Sequence, residues 1–356
     1  MKKSTLIFLS VAYFFIACSS KPKPEHEVKT FDKFPTIIEL SHERIQTEPV
    51  LYFVGGLLLL DNVLITVDLK ADPFFRVFKL PSLEYKGGFI TRGSGPDEEI
   101  FINPFISRVS ENKFLYQGVT SVKTMKYEEQ TGKMKAVGFI NLPIDLMSIQ
   151  IQNIIKIGDT IIGNRLEGQT NKEFIGYNIE SDEIFDFGIE FPLMDRKIPV
   201  DLKDVLFAKV SVVKPDGSAF ATVYDKFPIL RIYTNTGKIR KETRLNNGQR
   251  FPYGLIKNNP TRYDIDNVMQ NYRAIKTSNN FIYALYIGKA SQELDRGLND
   301  FSNEIHVWNW DGEPVKKILL DKKIFTFDVD LNDTYLIASS LLSLDALYKY
   351  DLRKTP

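Results

Sequence analysis

Ile305-His-Val-Trp-Asn-Trp-Asp-Gly-Glu313 alternates apolar and polar side chains, ends on an aromatic, and runs into an Asp-Gly turn. Period-2 alternation closed by a turn dipeptide marks a half-buried strand entering a hairpin. The same arrangement recurs at Arg76–Tyr85, Thr124–Lys133, Phe174–Glu183, Leu230–Lys238 and Leu347–Leu352. Its aromatic falls at Phe78, Tyr127, Tyr177, Tyr233, Trp308 and Tyr350, at spacings of 49, 50, 56, 75 and 42 residues. Six copies of one unit require a repeat architecture.

Each aromatic strand is preceded by a hairpin. The pairs are Leu57–Leu60 with Val63–Val67, Ile106–Val109 with Lys113–Tyr116, and Ile151–Ile157 with Thr160–Gly163. They continue as Lys209–Lys214 with Ser218–Val223, Ala274–Thr277 with Phe281–Tyr286, and Phe325–Asp330 with Tyr335–Ser339. The turns between them are Asp61-Asn62, Glu111-Asn112, Gly158-Asp159, Asp216-Gly217, Asn279-Asn280 and Asn332-Asp333. Four strands per unit of about 40 to 50 residues define an all-β, six-bladed β-propeller with four-stranded blades. Two sandwich domains built from stacked hairpins are the alternative, but six similar units offer no place to divide the chain.

The last copy stops at 352–356 without a fourth strand, and an orphan strand, Thr36–Ser41, precedes the first hairpin. Pairing the two would remove two open edges. The expectation is that this N-terminal strand closes the last blade and that the preceding segment enters the ring beside it.

The N-terminus reads as an address. Lys2 and Lys3 precede a nearly unbroken apolar run, Leu6–Ala17, too short to span a bilayer comfortably. Phe15-Ile16-Ala17-Cys18 then places a small residue before the chain's one cysteine, as in a lipobox with phenylalanine where leucine is usual. The reading is a lipoprotein signal peptide over 1–17, lipidation at Cys18, a flexible tether over 18–30 and the propeller over 31–356. Without residues 1–17 the chain carries 44 basic and 45 acidic side chains. That balance argues against nucleic acid as a partner. With Cys18 lipidated no thiol is left for a disulfide, so stability must come from a buried core.

The lipobox, the Arg92-Gly-Ser-Gly-Pro-Asp-Glu98 loop after the first blade and the six aromatic-turn units together resemble the TolB-like six-bladed propeller lipoproteins. What the resemblance implies is the fold and an envelope location, the outer membrane, with the face it occupies left open. It also implies binding of a ligand or partner, and it carries over no catalytic residues.

The residues themselves give no catalytic set. His26, His42 and His306 sit in the tether, beside the orphan strand and in a blade strand, without metal-like spacing. The glycine loop at 93–96 lacks the Gly-Lys-Ser/Thr of a phosphate loop and reads as a tight inter-blade turn. Asp97-Glu98-Glu99 offers hard oxygens that could hold calcium at a channel mouth; no other cofactor is indicated. The insertion at 246–273, which a second at 291–303 joins on the same repeat, is rich in Tyr, Arg and Asn, residue types that grip sugars, peptides and protein surfaces. The insertions nominate Tyr253, Arg262, Tyr263, Tyr272 and Arg273, with Arg92, Arg165, Tyr224 and Tyr286, as ligand-binding residues.

The expected function is a monomeric, membrane-tethered binding module for an envelope protein, peptide or glycan. A channel-sited hydrolase or lactonase and a glycan-binding accessory lipoprotein are the alternatives. Carboxylates and amides converging on the axis would favour the enzyme.

Overall fold

Leu57-Leu58-Leu59-Leu60 is apolar at every position because both faces of its sheet are buried. Leu57 and Leu59 pack with Ile337 and Leu347 of the last blade, whereas Leu58 and Leu60 pack with Phe114 and Tyr116 of the second. Strand geometry sends successive side chains to opposite faces, so one strand feeds two cores. Ile154 and Ile155 repeat the device in the third blade, one facing the second blade's core and the other the fourth's.

The computed structural model describes residues 26–165, 170–194, 198, 200–249, 255–256, 259–263, 268–294 and 302–353, with the side chains of 201, 255–256 and 259–263 outside the description. Cys18, the rest of the N-terminal address and Tyr253 lie outside the described residues.

Six antiparallel sheets follow one another along the chain. Blade 1 comprises Val54–Leu60, Val63–Asp68, Phe75–Lys79 and Glu84–Phe89. Blade 2 comprises Ser107–Ser110, Lys113–Gln117, Ser121–Glu128 and Lys133–Asn141. Blade 3 is built from Gln152–Ile157, Thr160–Asn164, Lys172–Asn178 and Glu183–Glu190, and blade 4 from Lys209–Val213, Ala219–Tyr224, Ile229–Thr234 and Ile239–Leu245. Blade 5 has Met269–Thr277, Phe281–Ala290, Ser302–Asn309 and Pro314–Ile324, and blade 6 has Thr326–Val329, Tyr335–Ser339 and Ala346–Asp351. All six inner hairpins and all six aromatic strands expected from the sequence are present, the aromatic always on the third strand. Each of the six junctions between neighbouring blades, blade 6 with blade 1 included, holds its own apolar core. The chain is therefore one closed ring.

Closure is where the structure departs from the sequence reading. Three short N-terminal strands, β1 (Val28–Phe31), β2 (Ile37–Leu40) and β3 (Glu43–Gln46), step along the outside of the last three blades. β3 pairs antiparallel with Ala346–Asp351 and supplies the missing fourth strand of blade 6. β2, expected in that place, instead adds a fifth strand to blade 5, parallel to Pro314–Ile324, and β1 does the same on blade 4 against Ile239–Leu245. The chain thus enters at blade 4 rather than beside the closing blade, and strand structure begins at Val28, inside the stretch read as tether. Burial explains the choice for β2: Ile38 and Leu40 join the core between blades 5 and 6, and Phe34, just before them, enters the core between blades 4 and 5. Two outer edges that would otherwise be open are covered as a result.

The turns that follow the first and third strands of the blades lie at one face of the ring, away from the connections between second and third strands. The opposite face carries the loops that join one blade to the next, including the short helices Ile144–Ser148 and Val200–Leu206.

Candidate functional site

Every inner strand contributes to one cavity of about 480 Å³ on the ring axis. Gly56 and Leu58 come from blade 1, Ser107 and Arg108 from blade 2, Gln152 and Asn153 from blade 3, Ser211 from blade 4, Arg273 and Lys276 from blade 5, and Thr326 and Asp328 from blade 6. Phe53, Phe105 and Phe325, each just ahead of an inner strand, line it from the loop side, and Phe53 and Phe325 meet edge to face with centroids 5.3 Å apart. Gly56 is required by space: a Cβ there would lie 2.3 Å from the Pro104 carbonyl oxygen.

An innermost strand has one edge without a neighbour, and its backbone groups need partners. In blade 1 those partners are charged side chains from blades 2, 5 and 6. Asp328 accepts the Leu59 N–H at 2.7 Å, Lys276 donates to the Leu57 carbonyl at 2.7 Å, and Arg108 donates through Nη2 to the Leu59 carbonyl. Arg108 Nη2 and Lys276 Nζ flank the Asp328 carboxylate at 3.7 and 3.9 Å. Burial works against the charge on both cations and Asp328 only partly offsets it, so both are held below their ordinary pKa. Below the main cavity a second, of about 230 Å³, is lined by Arg108, Lys156 and Lys214. Arg108 lines both.

The other charged cluster is structural. Glu173 of blade 3 is fully buried and accepts hydrogen bonds from Tyr224 and Tyr233 of blade 4, and Arg231 lies 2.9 Å from it. Arg231 also donates through Nε to Glu242 at 2.7 Å, and the His26 ring lies 3.1 Å from the same carboxylate. Burial alone would raise the Glu242 pKa, but the His26 hydrogen bond and the Arg231 and Arg244 charges bring it down to about 2. Beside this network the Lys209 ammonium sits 5.0 and 5.1 Å from the Phe174 and Phe191 rings, and burial lowers its pKa to about 8 against the pull of Glu173 and Asp204.

Of the residues nominated from sequence, Arg273 lines the cavity. Tyr224 is buried on Glu173, and Tyr272 is buried in the blade 4–5 core with its hydroxyl 3.0 Å from His306 Nδ1. Tyr286 stacks on the His306 ring at 4.2 Å and accepts a hydrogen bond from Asn247. Arg165 pairs with Asp186 and Arg92 lies over the Phe74 ring, both away from the axis. Arg262 and Tyr263 belong to a small two-stranded sheet whose side chains lie outside the described residues, as does Tyr253. The glycine loop after blade 1 does cradle an anion, and it is the chain's own: the Gly95 N–H donates to Glu98 Oε2 at 2.8 Å. Glu99 is buried against Lys123 at 2.9 Å. Neither carboxylate lines the axial cavity, and among the described residues no group of three His, Cys, Asp or Glu is placed to hold a metal ion.

Sequence reasoning missed Arg108, Lys276 and Asp328. Their signal was a charge inside a short inner strand, as in Ile106-Ser-Arg-Val109.

The architecture defines a single-ring six-bladed propeller. The chain belongs to the TolB-like six-bladed propeller family, whose model, described as TolB-like 6-blade propeller-like, matches residues 57–332. No curated protein matches the chain. Among solved structures it is similar to a member of the DUF4221 family from Bacteroides vulgatus, with 11% identity, a TM-score of 0.59, and coverage of 87% of this chain and 97% of that one. It is also similar to a protein described as exported from Bacteroides fragilis, with 13% identity, a TM-score of 0.57, and coverage of 92% and 99%. At these identities the likeness is one of fold.

Proposed function

We propose that this chain is an exported, lipid-anchored binding protein of the bacterial cell envelope, holding a small ligand in its axial cavity. The observation that carries the reading is the cavity itself: polar side chains from five of the six inner strands converge behind an aromatic rim in a space of about 480 Å³. Concave sites of that size with a few convergent polar groups are where small ligands bind. Binding is favoured over catalysis because Asp328, the one carboxylate lining the cavity among the described residues, is tied to the Leu59 N–H between two cations.

Export and anchoring rest on the signal-like segment ending at Cys18. The Bacteroides fragilis protein of the same fold, described as exported, agrees with that reading. No helix among the described residues is long and apolar enough to cross a membrane. The outer membrane is the proposed address. On the loop face, Ile100, Ile144 and Leu342 are 68%, 76% and 72% exposed, a surface suited to an envelope partner.

Two results are expected. In cells fed labelled palmitate the full chain acquires label and Cys18→Ser does not; label retained on the variant defeats the anchor. Gln152→Trp, which puts an indole into the cavity, abolishes ligand-induced thermal shifts in a small-molecule screen while its own melting temperature stays at the parent value. Hits that survive the indole would place the ligand elsewhere.

A further inference from the structure

We infer that the axial cavity takes an organic anion, its carboxylate or phosphate received by Arg108 and its apolar body lying against Phe53, Phe105 and Phe325. This rests on the reading of the cavity as a ligand site and adds the chemistry of the ligand.

The first observation is charge. Arg108 and Lys276 line the main cavity against Asp328, the one carboxylate lining it among the described residues, and the cavity beneath adds Lys156 and Lys214 with no acid in its lining. Lys214 has a partner of its own, Asp216 at 2.7 Å. The excess of positive charge on the axis remains without it. The chain as a whole is nearly neutral. The excess is therefore local to the axis.

The second observation is an unsatisfied donor. The Arg108 side chain is 9% exposed, and its Nη2 serves the Leu59 carbonyl and Asp328. Its Nη1 is buried without a hydrogen-bond partner. A guanidinium presents donors in a fixed fork, so one arm held by the protein aims the other. Leaving a buried charged donor unpaired is unfavourable, and a carboxylate or phosphate oxygen is the partner that satisfies it best. Lys276 is pinned on the Leu57 carbonyl and contributes charge from the opposite side of the ring. The three phenylalanines suit an apolar or aromatic body.

Calorimetry on the mature chain with benzoate and phenyl phosphate, and with benzamide as the neutral match, tests the assignment. Both anions are expected to bind and benzamide to bind at least roughly tenfold more weakly, as the loss of a charge-assisted hydrogen bond implies. Arg108→Gln should weaken the anions by a similar factor, and Asp328→Asn, which keeps an acceptor for the Leu59 N–H, should tighten them by removing the competing carboxylate. A purely structural role for the two residues would weaken binding in both variants, and that outcome overturns the inference. So does failure of both anions to bind, or benzamide binding as tightly as benzoate. Anion binding that survives Gln152→Trp also overturns it, and in that case the cavity reading falls as well. Benzamide binding that the indole abolishes would leave the cavity standing and remove only the anion.

Discussion

A chain lacking residues 26–46 is expected to show no cooperative unfolding transition, whereas one lacking residues 26–41 is expected to unfold in a single transition at a lower urea concentration than the full protein. The difference is β3. Its pairing with Ala346–Asp351 is what gives blade 6 a fourth strand, and Ile45 packs onto the core shared by blades 6 and 1. Removing it opens an edge at the junction where the ring meets itself. β1 and β2 are fifth strands on blades that already have four. Their loss exposes apolar surface under Phe34, Ile38 and Leu40, at about 1.5–3 kcal/mol for each fully buried side chain. Part of that loss is returned as chain entropy, since the removed segment no longer has to be ordered. Trp308, buried in blade 5, reports the transition by fluorescence, and far-UV circular dichroism reports the sheet. A 26–46 deletion that melts like the parent would remove β3 from its role.

The second large effect is expected at Arg231. Replacing it with methionine leaves Glu173 and Glu242 in a fully buried site without the cation they share, and breaking a buried pair in this way costs about 3–5 kcal/mol. Lys241→Met, which breaks a pair with the exposed Glu27, is expected to leave the melting midpoint close to that of the parent, because solvent screens the pair. The same cluster gives the protein an acid limb. The Glu242 pKa is about 2 in the folded state against an ordinary 4.5, so its stabilisation is complete above about 4.5 and is lost as pH falls toward 2. Urea melts between pH 6 and 2.5 should show that decline in the parent and a flatter profile in Arg231→Met. Equal melting midpoints for Arg231→Met and Lys241→Met would show that the pair is not what holds blades 3 and 4 together.

Much of the fold was legible because blades are local. Each hairpin turn, such as Asp216-Gly217, and each aromatic strand lies within one short segment, and local periodicity reports it. Closure was legible in kind but not in detail. Val28–Phe31, Thr36–Ser41 and Glu43–Gln46 are all short segments able to form strands, and the partner of each is set by distant cores, with Ile38 and Leu40 drawn to blades 5 and 6. The site was harder to read, since tyrosine is as suited to a core as to a binding surface. Tyr224 and Tyr272 follow the strand periodicity inward, where Glu173 and His306 satisfy their hydroxyls. Arg108, Lys276 and Asp328 come from three blades far apart in the chain, and only ring closure brings them together.

The N-terminal strands also give the ring a direction of mechanical failure. Any tension arriving from the N-terminal side is carried first by β1, then by β2, and only afterwards by β3. The first two are outermost additions that can peel from blades 4 and 5 and leave four strands behind in each. They act as slack that is drawn out before force reaches the strand that keeps the circle shut.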